Sequence, residues 1–147
     1  MVFEDFTPDR VMVSGVAEVS EAAVLAFARE FDPQPQHLDP VAAAGSLFGQ
    51  VVASGWHTAA ITMRLQLEAG LGGVEGGLIG AGVERIAWPR PVLPGDRLQA
   101  TVEVVDRRVS RSRPDRGMVR LRTTTRNQAG DIVMEMTATV VAPRRER

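Results

Sequence analysis

Apolar and polar residues alternate with a period of two through most of the second half of the chain. Leu98, Ala100, Val102 and Val104 alternate with Arg97, Gln99, Thr101 and Glu103. Val119, Leu121, Thr123 and Thr125 alternate with Arg120, Arg122, Thr124 and Arg126. Ile132, Met134, Met136, Ala138 and Val140 give the inner face of a last run. A looser alternation joins Ile79, Ala81, Val83 and Ala87 to Gly80, Gly82, Glu84 and Trp88. Period two predicts strands with one buried face. Turn chemistry separates them: Pro94-Gly95-Asp96, a polar hairpin loop from Arg107 to Gly117, and Asn127 to Gly130.

The first half has a different period. After a lead-in from Met1 to Arg10 and a short strand over Val11 to Val16, Ser20 is a predicted N-cap, with Glu21 in the first turn. Ala22, Val24, Leu25, Ala26, Phe27 and Ala28 then form a wide apolar helical stripe. That helix is predicted to stop near Phe31, because Asp32 precedes Pro33. Pro33 and Pro35 are expected to keep the chain non-helical through His37. Asp39-Pro40 caps and opens a short helix to Ala44. A second main helix runs from Trp56 to about Ala69, and its first half is apolar or small almost all round. Such a helix is expected to be buried. Antiparallel strands following one buried helix predict an α+β fold in which the sheet curls round the helix. A curled sheet leaves an open edge, which predicts pairing with a second copy.

At 147 residues the chain has the length of one domain, read here as spanning residues 1–147. Cysteine is absent, which excludes disulfides, a thiol nucleophile and cysteine-based zinc sites. All of the basic side chains are Arg, so lysine Schiff-base chemistry is excluded too. A formal net charge of −1 argues against nucleic-acid binding. No apolar run is long enough to span a bilayer, and the first residues lack the pattern of a signal peptide. The expectation is a cytoplasmic protein without a nucleic-acid or membrane partner. No glycine cluster has the dinucleotide-binding spacing.

The chemistry concentrates between Phe31 and Ala60, which holds both histidines, His37 and His57. Asp32 stands five residues before His37, on a proline-stiffened segment. An acid and an imidazole placed together can hold and activate a water. Gly55 opens the second helix, where free N–H groups can face a substrate oxygen. Ser54 precedes it as a cap or pocket-lining residue; Val52-Ala53-Ser54-Gly55 lacks the first glycine of a nucleophile elbow. His57, on the helix, is read as structural. A metal site from His37, Asp39 and His57 has only a weak spacing signal, and Asp39 is better used as a cap. Trp56 and Trp88 are read as core or interface residues.

These residues resemble the MaoC-like, or (R)-specific enoyl-CoA hydratase, family. Its usual motif, Asp-x-Asn-Pro-x-His-x-Asp followed by His-Gly before a central helix, is matched here by Asp32, Gln34, Pro35, His37, Asp39 and Gly55. Trp88-Pro89-Arg90-Pro91-Val92-Leu93-Pro94-Gly95-Asp96 resembles the family's second signature, of Phe, then Pro-Val, then Gly-Asp. Gln34 replaces the usual Asn, Ser54 replaces the His of His-Gly, and no serine follows on the helix near Thr62 and Met63. The resemblance implies a hotdog fold and water addition to, or elimination from, an acyl thioester of coenzyme A or a carrier protein. Asp32 and His37 would be the catalytic pair, and Gly55, with Ser54 beside it, the oxyanion or substrate site. It implies no metal, no cofactor, and a homodimer or a dimer-based assembly. Two other readings stay open. A hotdog thioesterase commonly needs a carboxylate early in the central helix, where this chain has only the late Glu68; the departures suggest a noncatalytic acyl-thioester-binding subunit. The arginines Arg107, Arg108, Arg111, Arg113 and Arg116 are candidates for coenzyme A phosphates, against the commoner outcome of a solvated hairpin.

Overall fold

The computed structural model describes residues 1–145. Five strands, β1 (Val11–Glu18), β2 (Ile79–Ala87), β3 (Arg97–Val109), β4 (Arg116–Arg126) and β5 (Ile132–Pro143), form one antiparallel sheet in the order β1-β3-β4-β5-β2. The helices are α1 (Glu21–Phe31), α2 (Pro35–Leu38), α3 (Pro40–Ala44) and α4 (Gly55–Ala69). The sheet curls round α4, which packs chiefly on β1 and β3. The alternation in β3 and β4 is realised as expected: Leu98, Ala100, Val102, Val104, Val119, Leu121, Thr123 and Thr125 are all buried. In β5 the buried residues are Val133, Met134, Val140 and Ala142; a register shift opposite Arg126 adds Val133, while Met136 and Ala138 on the expected face are only half-buried. No described helix is long and apolar enough to cross a membrane.

Three points go beyond or against the sequence reading. The lead-in contributes to the core. Phe3 and Phe6 enter the core beside Met12, Leu71 and Val119, and the Phe3 ring occupies the space that a Cβ at Gly117 would need. Burying each such ring is worth about 1.5–3 kcal/mol. The prolines do not exclude helix before His37. Pro35 is the first residue of α2, where the missing N–H would have no partner anyway.

The third point concerns α4, which is not buried all round. Trp56, Ala60, Met63 and Leu67 form an exposed stripe, since one sheet covers only one side of the helix. Its covered side carries polar groups: His57, Thr58, Thr62 and Gln66 are buried with Leu65. Two of them are paired across to β4. The Thr62 and Thr125 hydroxyls lie 2.8 Å apart, and Gln66 Nε2 donates to Thr123 Oγ1 at 2.9 Å. These pairs meet the cost of burying polar groups, which explains how a helix can turn its polar face inward.

Candidate active site

The site is assembled on a buried extended segment, residues 51–54, between α3 and α4. Val52 N–H donates to Gln36 O at 3.1 Å, and Ala53 N–H donates to Val92 O at 2.8 Å. This segment therefore ties the α2 turn to the Trp88–Val92 stretch that follows β2. Ser54 caps α4, its Oγ accepting the Trp56 N–H at 3.2 Å.

His37 is buried at the end of α2, and its Nδ1 lies 2.7 Å from Val52 O. A carbonyl only accepts, so Nδ1 carries the proton of that bond. In the neutral ring Nε2 then presents its lone pair, 3.4 Å from Asp32 Oδ2. A water donating one hydrogen to each acceptor would sit beside the pair, about 2.8 Å from both, because 3.4 Å leaves no room for it on the line between them. Asp32 Oδ1 accepts from Gln34 Nε2 at 2.7 Å, and Gln36 Nε2 donates in turn to Gln34 Oε1 at 3.2 Å. The Asp32 carboxyl is held below the usual carboxylate range, first by a hydrogen bond with the Ser54 side chain and then by Gln34, with His37 adding a smaller charge effect. Asp32 is accordingly ionised at neutral pH.

Asp32 and His37 open on a cleft of about 390 Å3 with Gly55, Trp56, Trp88 and Arg90 on its walls. Gly55 opens α4, and among the described residues its N–H has no acceptor in the chain. The structure thus brings together Asp32, His37 and Gly55. Ser54 sits behind them, 1 % exposed, and reaches the site through Asp32.

His57 stays outside the cleft. It stacks on Phe27 at 4.8 Å, its Nδ1 has no partner among the described residues, and burial pushes its pKa down. The described residues contain no cluster able to hold a metal ion, and Asp39 caps α3 by accepting from Val41 N–H at 2.8 Å.

Of the two readings of Trp56 and Trp88, core or interface, the core reading is excluded: both border the cleft and are 60 % and 37 % exposed. The arginine cluster lies elsewhere: Arg107 binds Phe3 O and Glu4 O, and Arg113 and Arg116 pair with Asp115. The arginine at the cleft is Arg90. Sequence reasoning also missed the carbonyl of Val52 as the group orienting His37. Its only trace was the apolar Val51-Val52-Ala53 run before the Ser54 cap.

The curled sheet, the central helix and this site define a hotdog protein of the MaoC type. Residues 6–127 match the family described as MaoC like domain, and the chain belongs to that family. It is 32% identical to the uncharacterised protein YdeM of Bacillus subtilis, over 98% of this chain and 100% of that protein. A MaoC-like dehydratase from Rhodospirillum rubrum superposes with a TM-score of 0.93 at 48% identity, covering 100% of this chain and 99% of the other. An (R)-hydratase from Pseudomonas aeruginosa gives a TM-score of 0.78 at 26% identity, covering 98% and 86%. Membership of this family supports a lyase role of the hydratase or dehydratase kind.

Proposed function

We propose that the protein hydrates 2-enoyl thioesters, and dehydrates 3-hydroxyacyl thioesters, of coenzyme A or an acyl carrier protein. The observation that carries this reading is the facing of Asp32 Oδ2 and His37 Nε2 across 3.4 Å, on a cleft shared with the unpaired N–H of Gly55. The thioester oxygen accepts the Gly55 N–H, and a water on the cleft side of the pair hydrogen-bonds to both the carboxylate and the imidazole. Asp32 orients the water, while the free lone pair of His37 Nε2 takes one of its protons. The water oxygen bonds to the β-carbon, and the π electrons move to the thioester oxygen as an enolate. The enolate is stabilised by Gly55; such a donor is typically worth about 3–4 kcal/mol. The imidazolium then gives its proton to the α-carbon, the carbonyl reforms and His37 is neutral again.

The protein works as a homodimer in this reading. β2 is an edge strand, exposed along most of its length, and the Trp56, Ala60, Met63 and Leu67 stripe is exposed too. A second copy paired along β2 would extend the sheet and cover apolar surface.

The thioesterase alternative finds no support in α4. Its carboxylate, Glu68, is exposed and lies 3.6 Å from Arg64, remote from the helix start. Crotonyl-CoA separates the two reactions. Hydration predicts loss of the enoyl absorbance without thiol release; thiol release would favour hydrolysis. Neither signal would leave a binding subunit.

A further inference from the structure

The indole of Trp88 lies against the bare Cα of Gly55. A Cβ at residue 55 would stand 2.8 Å from Trp88 Cε2, 2.9 Å from Cδ2 and 3.1 Å from Nε1. Side-chain carbons do not approach so closely, so the ring closes that side of Gly55. Trp56 supports it edge-on, with centroids 5.2 Å apart and planes at 79°. The stretch that carries Trp88 is tied to the segment before α4 four residues further on, where Val92 O receives the Ala53 N–H. Trp88 is thus a fixed wall of the cleft, on the glycine that carries the unpaired N–H.

This placement bears on whatever is attached to the oxygen bound there, and the argument rests on the thioester reading above. An oxygen accepting the Gly55 N–H sits about 2.9 Å from that nitrogen. The carbonyl carbon is then one bond further, and the α-carbon about 2.4 Å from the oxygen by covalent geometry. Both are held next to the residue whose open side the indole has filled. A methyl group on the α-carbon adds bulk in a cleft that the ring already walls beside Gly55. We propose that Trp88 is a specificity-determining residue, its indole restricting the site to acyl thioesters unbranched at the α-carbon.

The test is binding, which does not depend on turnover. Calorimetry gives Kd for butyryl-CoA and 2-methylbutyryl-CoA, two saturated thioesters that cannot be hydrated, with wild type, Trp88→Phe and Trp88→Ala. One added methyl group in a fitted pocket changes selectivity by about 10- to 200-fold. Wild type is expected to prefer butyryl-CoA by at least about tenfold, Trp88→Phe less, and Trp88→Ala to bind the two within a few-fold. If Trp88→Ala does not fold, Trp88→Phe carries the comparison. An unchanged ratio in the variants, no preference in wild type, or no binding of either thioester overturns the assignment. Crotonyl-CoA turnover, measured beside it, judges the hydratase reading separately. Turnover with an unmoved binding ratio sinks the role of Trp88 alone. The expected ratios without turnover sink the hydratase alone.

Discussion

Asp32 receives Gln34 on one oxygen and faces His37 with the other, and the Ser54 side chain helps hold its pKa down. Two of these neighbours, Gln34 and Ser54, are among the three places where the chain departs from the family pattern. Read one at a time they looked like losses, yet in space both act on the same carboxylate. Hydrogen bonds to an ionised carboxylate lower its pKa. Ser54→Ala is therefore expected to raise the Asp32 pKa toward its ordinary value and to shift the acid limb of kcat/KM to higher pH. The same change removes the cap of α4, at a typical cost of about 0.5–2 kcal/mol. A lower Tm with an unmoved acid limb would mean that Ser54 is only a cap. His57 gives a different pH effect. Its folded pKa lies below the unfolded value because burial disfavours the charge. The unfolded chain then binds more protons below about pH 6.5, so stability is fully present above that pH and falls as pH drops. Replacing the ring by phenylalanine, His57→Phe, is expected to flatten the decline of Tm between pH 7.5 and 5.5. An unchanged decline would place the titrating group elsewhere.

At the scale of elements, α4 shows what the sequence could and could not disclose. Its start and end were legible from Ser54, Gly55 and the glycine-rich exit, and its central place from the strands that follow. Its orientation was not. The apolar residues suggested burial, whereas the sheet covers Thr58, Thr62 and Gln66, and Trp56, Ala60, Met63 and Leu67 stay outside. Single-chain periodicity cannot tell a face that meets a sheet from one that meets another molecule, since both are apolar. The polar partners that admit Thr62 and Gln66 come from Thr125 and Thr123, far along the chain. Ala60→Asp tests the exposed stripe. Within one chain the site is open, so the variant is expected to fold with its secondary structure intact. Between two copies the charge would be buried unpaired, so sedimentation is expected to show a monomer. A variant that remains dimeric would remove α4 from the interface.

For the whole molecule, the α+β class and the curled antiparallel sheet followed from the period-two runs together with the apolar helix that precedes them. The site was partly legible in the same way. Asp32 and His37 were visible because they lie on one short segment and match a motif. Trp88 and the Val52 carbonyl were not, because they come to the cleft through the packing of the 51–54 segment between α2 and the Trp88–Val92 stretch. The account centres on one water shared by Asp32 and His37. The most direct measurement is kcat/KM for crotonyl-CoA hydration in wild type, Asp32→Asn, His37→Ala and the double variant, with Tm as the control. Positioned acid–base groups contribute about 100- to 10,000-fold, so each single variant is expected to lose that much while still melting cooperatively. Because both groups act on the same water, the double variant is expected to be scarcely worse than either single one. Near-wild-type turnover in either single variant, or losses that add in full, would contradict the shared water.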